Sequence, residues 1–192
     1  VKDKIAIAKL IDGLGVSFIE GGWPGASPKE EEFFETAKRE LKLKNAKLVS
    51  FGSTRKLDSL AKDDPQVKAL IDAGTDYVCI VGKSSKLHIT KALQTDIDSA
   101  IDMAVDTILY LKSKGKKVFF DAEHFFDGYK EDSETSLKIL ESVATSGVDC
   151  FIFCDTNGGT LPEEVRKILS EVIEKYPKTK FGVHFQNDNG CA

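Results

Sequence analysis

Apolar positions along the chain switch between a helical and a strand-like period from one end to the other. Residues 2–13 set Ile5, Ala8, Leu10 and Ile11 at helical spacing, and Gly13 and Gly15 then stop the helix. The short apolar run VSFIEGG (16–22) predicts a strand. Ser27-Pro28-Lys29-Glu30 opens the next helix, with Ser27 as N-cap, Pro28 at the first helical position and acidic residues following. The pattern then predicts a strand over 46–52, a helix over about 57–73, a strand over 76–82 and a long helix over about 95–114. A strand over 116–124, a helix over 133–146, a strand over 148–156, a helix over 161–176 and a strand over 180–185 complete the series.

Six strands, each preceded by a helix, imply an α/β fold. VCIVG, VFFDA and CFIFC are almost continuously apolar, as strands of a parallel sheet covered by helices must be. The phrase Gly–Val/Thr–Asp/Ser followed by a strand recurs in GVSFIE, GTDYVCI and GVDCFIF, so the unit repeats. An open doubly wound sheet and a closed eight-stranded barrel both fit this alternation. No GxGxxG follows the first strand, which weakens the dinucleotide-binding version of the open sheet. Polar residues instead end nearly every strand: Glu20, Ser53-Thr54-Arg55, Lys83, Asp121, Glu123-His124, Asp155-Thr156-Asn157, His184 and Gln186. A ring of functional groups drawn from many strands is what the top of a (β/α)8 TIM barrel offers. A complete barrel has eight strands in about 250 residues. The expectation is therefore an incomplete barrel, one partial catalytic domain over 1–192 that holds strands two to seven. The opening VKDKIAIAKLIDGLG reads as a helix already under way, and GVHFQNDNGCA stops just after a strand, so both ends read as cut.

Composition narrows the function class. With 41% hydrophobic and 30% charged residues, the chain is too polar to be membrane-embedded and apolar enough to bury a core. No apolar run approaches the roughly 20 residues of a membrane span. The net charge of −4 is spread along the chain without a basic block, which argues against nucleic acid as a partner. Cys79, Cys150, Cys154 and Cys191 lack metal-finger spacing, and the first three, on or at the end of apolar strand-like runs, read as reduced, buried thiols; with no charged-then-apolar leader segment, a reducing cytoplasmic setting is expected.

Several segments carry candidate chemistry. His184 and Gln186 are two apart and so share one side of a strand, where they can hold a metal ion or simply form a solvated strand end. Asp121 and Glu123 likewise share a side. Such carboxylates can act as general base, position a water, orient a metal ligand, or pair with lysines. In CDTNGGT, Thr156 and Asn157 can hydrogen-bond a small polar substrate that Gly158 and Gly159 let approach, or the segment is a tight turn serving its own backbone. Glu20 ends a strand before a Gly/Pro-rich loop carrying Trp23. GKSSKLH offers Lys83, two serines and His88 in one loop, fit for an anionic group or for solvent.

Taken in order, FIEGGWPGASPKEEEFF, FGSTRK, GKSSKLHITKAL, DAEHFFDGYK, CDTNGGTLPEEV and GVHFQND resemble successive blocks of the citramalate synthases, within the isopropylmalate and homocitrate synthase group of acyl-CoA-condensing barrels. The resemblance implies a divalent metal (manganese, magnesium or zinc) that holds pyruvate, and acetyl-CoA as co-substrate. It further implies condensation and thioester hydrolysis to citramalate and CoA in isoleucine synthesis, and a homodimer at full length. His184 matches the first histidine of the family's metal pair, and Gln186 stands where the second would be. Thr156 matches the keto-acid contact, Glu123 the glutamate near the reacting centre, and His88 a histidine on the acetyl-CoA side. Glu20, Asp121 and Asn157 are expected to contact or organise substrate. The family's aspartate ligand and adjacent arginine end a strand that this chain lacks, so the isolated chain is expected not to turn over. A non-catalytic homologue serving as a binding protein, or a synthase for another keto acid, are the competing expectations.

Overall fold

The computed structural model describes residues 1–192. Helix α1 (Lys2–Asp12) buries Ile5 and Ala8, and strand β1 (Phe18–Glu20) follows after a turn. A single 3-10 turn at Pro24–Ala26 leads into α2 (Pro28–Glu40), where Ser27 Oγ accepts the Glu30 N–H. Glu30 and Glu31 in the first turn and Lys38 and Arg39 in the last complement the helix dipole. Then come β2 (Lys47–Ser53), α3 (Pro65–Asp72), β3 (Tyr77–Lys83), α4 (Lys86–Lys91), α5 (Ile97–Ser113) and β4 (Lys117–Glu123). The last elements are α6 (Phe125–Glu131), α7 (Ser133–Thr145), β5 (Cys150–Asp155), α8 (Pro162–Lys175) and β6 (Phe181–Phe185).

The strands form one parallel sheet in the order β1-β2-β3-β4-β5-β6. In-register pairs such as Phe51–Cys79, Cys79–Phe119 and Cys154–His184 tie neighbouring strands. β1 and β6 do not pair with one another, so the curved sheet is an open part of a (β/α) barrel. Alternation along each strand separates two faces. The outward row, including Val78, Ile80, Val118, Phe120, Phe151 and Phe153, is fully buried in the main core beneath the helices. Each such side chain contributes about 1.5–3 kcal/mol by leaving water. The inward row carries aromatic rings at the amino end, where Phe18, Tyr77 and Phe119 meet at 5.0–5.6 Å between centroids. Toward the carboxyl end it carries Cys79, Asp121, Glu123, Cys154 and His184.

The recurrent glycine stop has a local cause. Gly74 and Gly147 sit at φ 74° and 82°, conformations that a side chain resists, and turn the chain from helix into strand.

The structure corrects three expectations. The helix expected over 57–73 covers only Pro65–Asp72. Asp64 precedes a proline, which disfavours helical backbone there, and its carboxylate caps α3 by accepting the N–H groups of Gln66 and Val67. The stretch before it is an ordered loop. Asp64 also accepts from Lys56 N–H and Ser59 Oγ, while the buried Arg55 ion-pairs with Asp102 and Asp106 of α5. Second, the segment read as the loop of His88 contains the short helix α4, and a further short helix, α6, follows β4. Third, β1 has three residues where seven were expected. No helix is long and apolar enough to cross a membrane.

Candidate active site

Five of the sequence-derived candidates meet at the carboxyl end of the sheet. Asp121, Glu123, Thr156, His184 and Gln186 line one hollow of ≈150 Å³, together with Phe51, Val81 and Cys154. A larger hollow of ≈490 Å³ adjoins it, sharing Val81 and Glu123 and reaching Trp23, Arg55, Lys83 and Met103.

Asp121 is the centre of the inner group and is 6% exposed. Cys79 Sγ donates to its Oδ1 at 3.3 Å, and His184 Nδ1 faces its Oδ2 at 3.4 Å. Asp121, Cys154 and His184 each present one donor atom, and the three lie within 4.8 Å of one another. They come from three adjacent strands, and Cys154 stands opposite His184 in register. A carboxylate, a thiol and an imidazole with Gln186 beside them fit a divalent ion of borderline hardness. Burial, reinforced by the charge of Asp121, pushes the Cys79 and Cys154 thiols up, so both are protonated at neutral pH in this arrangement. Glu20 is open to solvent on one side and does not line the hollow. Lost hydration, then repulsion from Asp121, still raises its carboxyl above the usual range.

Glu123 ends β4 paired with Lys83 of β3, each side chain about one-quarter exposed. Ser84 locks this strand end by donating its hydroxyl and its N–H to the Glu123 carbonyl, at 2.7 and 3.1 Å. The next residue, His124, adopts a left-handed backbone (φ 58°, ψ 32°) that only a few per cent of non-glycine residues take. Its N–H thereby points across to β5 and donates to Thr156 Oγ1 at 2.8 Å. The Thr156 oxygen is engaged as an acceptor, which frees its hydroxyl proton to donate elsewhere.

Two candidates lie outside the hollow. Asn157 is exposed and donates its amide to Asp127 Oδ2 at 2.7 Å, as its turn reading allowed. His88 lines neither hollow. Its ring stacks on that of His124, 3.7 Å between centroids and 4° from parallel, and the Nδ1 atoms of both are buried without a hydrogen-bond partner. Burial, then the neighbouring His124 and Lys83, lowers the pKa of His88. Reasoning from sequence missed Cys79, Cys154 and His124. The two-residue step from Cys154 to Thr156 puts both on the inward face, and that step was the available signal.

The HMGL-like family matches residues 1–192. The chain is 44% identical to the (R)-citramalate synthase of Streptomyces coelicolor and 47% identical to that of Aquifex aeolicus, over 100% of its own length and 36% of each relative. Its fold superimposes on the HMG-CoA lyase of Bacillus subtilis with a TM-score of 0.79 at 16% identity, covering 98% of this chain and 62% of the lyase. The chain thus spans about a third of the synthases it matches and all of its own length in matching them. With the parallel half-barrel and the strand-end cluster already described, the chain belongs to the HMGL-like family.

Proposed function

We propose that residues 1–192 are one partial catalytic domain of a synthase that condenses acetyl-CoA with pyruvate to give citramalate and CoA. The observation that carries this reading is the convergence of Asp121, Glu123, Thr156, His184 and Gln186 on a hollow of ≈150 Å³, the scale of a small keto acid. The adjoining hollow that shares Glu123 gives a thioester room to approach the same carboxylate.

Each residue has a role in this reading. Thr156, its oxygen already occupied by the His124 N–H, donates its hydroxyl proton to the keto-acid carboxylate. Glu123 takes a proton from the acetyl methyl group, with Lys83 balancing its charge. The electron pair released forms the new bond to the ketone carbon of pyruvate, and the ketone oxygen ends as a hydroxyl. Water then cleaves the thioester, releasing the thiol of CoA. His184 and Gln186 would hold a divalent metal ion, which would supply Lewis-acid polarisation of the ketone. Asp121 orients His184 through Nδ1. Glu20 adds negative potential to the inner wall. His88 supports the Glu123 strand end through His124 on the acetyl-CoA side, and Asn157 braces the Thr156 loop through Asp127.

The test is thiol release by the full-length protein from acetyl-CoA with pyruvate, 2-oxoisovalerate or 2-oxoglutarate. Release with pyruvate that Glu123→Gln abolishes supports the reading. Release only with a larger keto acid replaces the substrate, and release with none overturns the enzyme.

A further inference from the structure

The loop between β1 and α2 carries an aromatic side chain that those roles leave unused. Trp23 lines the larger hollow and stands edge-on to Phe51, a wall of the inner one, with 5.9 Å between ring centroids and 78° between planes. Its indole N–H donates to Gln66 Oε1 at 2.6 Å, and the Gln66 side-chain amide donates in turn to the Gly25 carbonyl at 3.2 Å. Gln66 belongs to the first turn of α3, where the Asp64 cap accepts its backbone N–H.

We infer that Gln66 is a positioning residue of the larger hollow: by clamping the Trp23 indole it holds that ring as the wall against which coenzyme A packs. The inference rests on reading this hollow as the approach of the thioester. Gln66 itself lines neither hollow, so it acts only through Trp23.

Four considerations support it. The amide has one orientation that satisfies both partners, because an indole N–H can only donate and a backbone carbonyl can only accept. The chain beside Trp23 is anchored separately, with the Phe51 N–H donating to the Gly22 carbonyl at 2.9 Å and Pro24 buried, so what Gln66 sets is the direction of the ring. Without the amide, a half-buried indole N–H would lose its partner, and turning toward water would be favoured. Room for the clamp is provided by the glycine at 25, since an added Cβ there would fall on Oε1 of Gln66 and stand 2.9 Å from its Cδ. Finally, the hollow sets Trp23, Leu93 and Met103 near Lys56 and Lys83, an apolar stretch beside cations that suits an apolar arm ending in phosphate. The same turn of α3 reaches a second part of this wall, because Asp64 accepts the Lys56 N–H at 2.9 Å.

The experiment measures CoA affinity by calorimetry, and steady-state thiol release, for the full-length protein and its Gln66→Leu, Gly25→Ala, Trp23→Phe and Trp23→Phe/Gln66→Leu variants. Gln66→Leu should weaken CoA binding and raise KM for acetyl-CoA by roughly three- to tenfold, the worth of one hydrogen bond. Over the same comparison, kcat and KM for pyruvate should stay within about twofold. Gly25→Ala, which pushes the amide aside without shortening it, should do the same and serves alone if Gln66→Leu misfolds. The double variant should bind CoA no more weakly than Trp23→Phe, because Gln66 has nothing else to hold. Equal CoA affinity in the wild type, Gln66→Leu and Gly25→Ala, additive losses in the double variant, a fall in kcat with KM for acetyl-CoA unchanged, or no CoA bound at all overturns the inference. Thiol release with pyruvate by the wild type leaves the synthase reading standing in the first three of these outcomes. Gln66-dependent CoA binding in a protein that releases no thiol with any keto acid keeps the positioning role and removes the synthase.

Discussion

His88, on the helix after β3, lies flat against His124, at the end of β4, with 3.7 Å between ring centroids and 4° between planes. The contact joins the segment that follows Lys83 to the segment that follows Glu123, the two halves of one ion pair. Protonating His88 places a positive charge against the stacked ring of His124 in a partly buried setting.

Stability should therefore fall on mild acidification. The folded-state pKa of His88 is lowered, so its contribution is full above its unfolded pKa of about 6.5 and is lost as pH falls below that value. Urea midpoints measured from neutral to mildly acidic pH should decrease for the wild type and decrease less for His88→Phe. Equal slopes would show that this pair does not set the dependence.

Asp64→Ala should destabilise by about 2–3 kcal/mol, because one buried carboxylate satisfies three backbone N–H groups and a serine hydroxyl. Equilibrium urea unfolding measures it. A loss under 0.5 kcal/mol, on the order of an exposed surface substitution, would mean that the loop before α3 is held by the Arg55 ion pairs alone.

Gly128→Ala tests the packing of α6. An added Cβ would stand 2.7 Å from the Ser84 carbonyl oxygen and 2.7 Å from Ser85 Cα, both backbone atoms that cannot swing aside. A cost of about 1–3 kcal/mol is expected from the melting transition. An unchanged melting temperature would mean that α6 moves freely against the β3 loop.

Thr156→Val in the full-length protein should raise KM for the keto acid by roughly ten- to a hundredfold, the worth of a hydrogen bond to a charged group. Steady-state kinetics with acetyl-CoA saturating would show it. A fall in kcat with KM unchanged would assign the hydroxyl to the reacting atoms instead of to substrate binding.

Gln186→His replaces a neutral amide by an imidazole, a better partner for transition metals. Affinity for manganese and zinc, measured by calorimetry on the full-length protein, should rise, together with acetyl-CoA-dependent thiol release. No change in either would detach residue 186 from the metal.

Much of this was legible in the chain. Period and glycine stops placed all six strands to within a few residues, because continuous apolar runs such as VCIVG have no solvated alternative. Asp121, Glu123, Thr156, His184 and Gln186 were readable from strand-end position and two-residue parity, and the structure brings them to one hollow. The helix before Tyr77 was overextended because Leu57 and Leu60 mimic its apolar spacing, yet both are half exposed in the loop. His88 and Asn157 lie outside that hollow. Their surroundings are set by α4 and α6, helices too short to leave a periodic signature. The place of Cys154 was not legible, since nothing in a linear sequence sets it opposite His184.

Each strand pairs only with its immediate predecessor and successor in sequence. No strand has to wait for a partner made much later, and none must slip between two already joined. The sheet is therefore able to lengthen by one strand and its covering helix at a time as the polypeptide leaves the ribosome, with every new edge completed by the next segment to emerge.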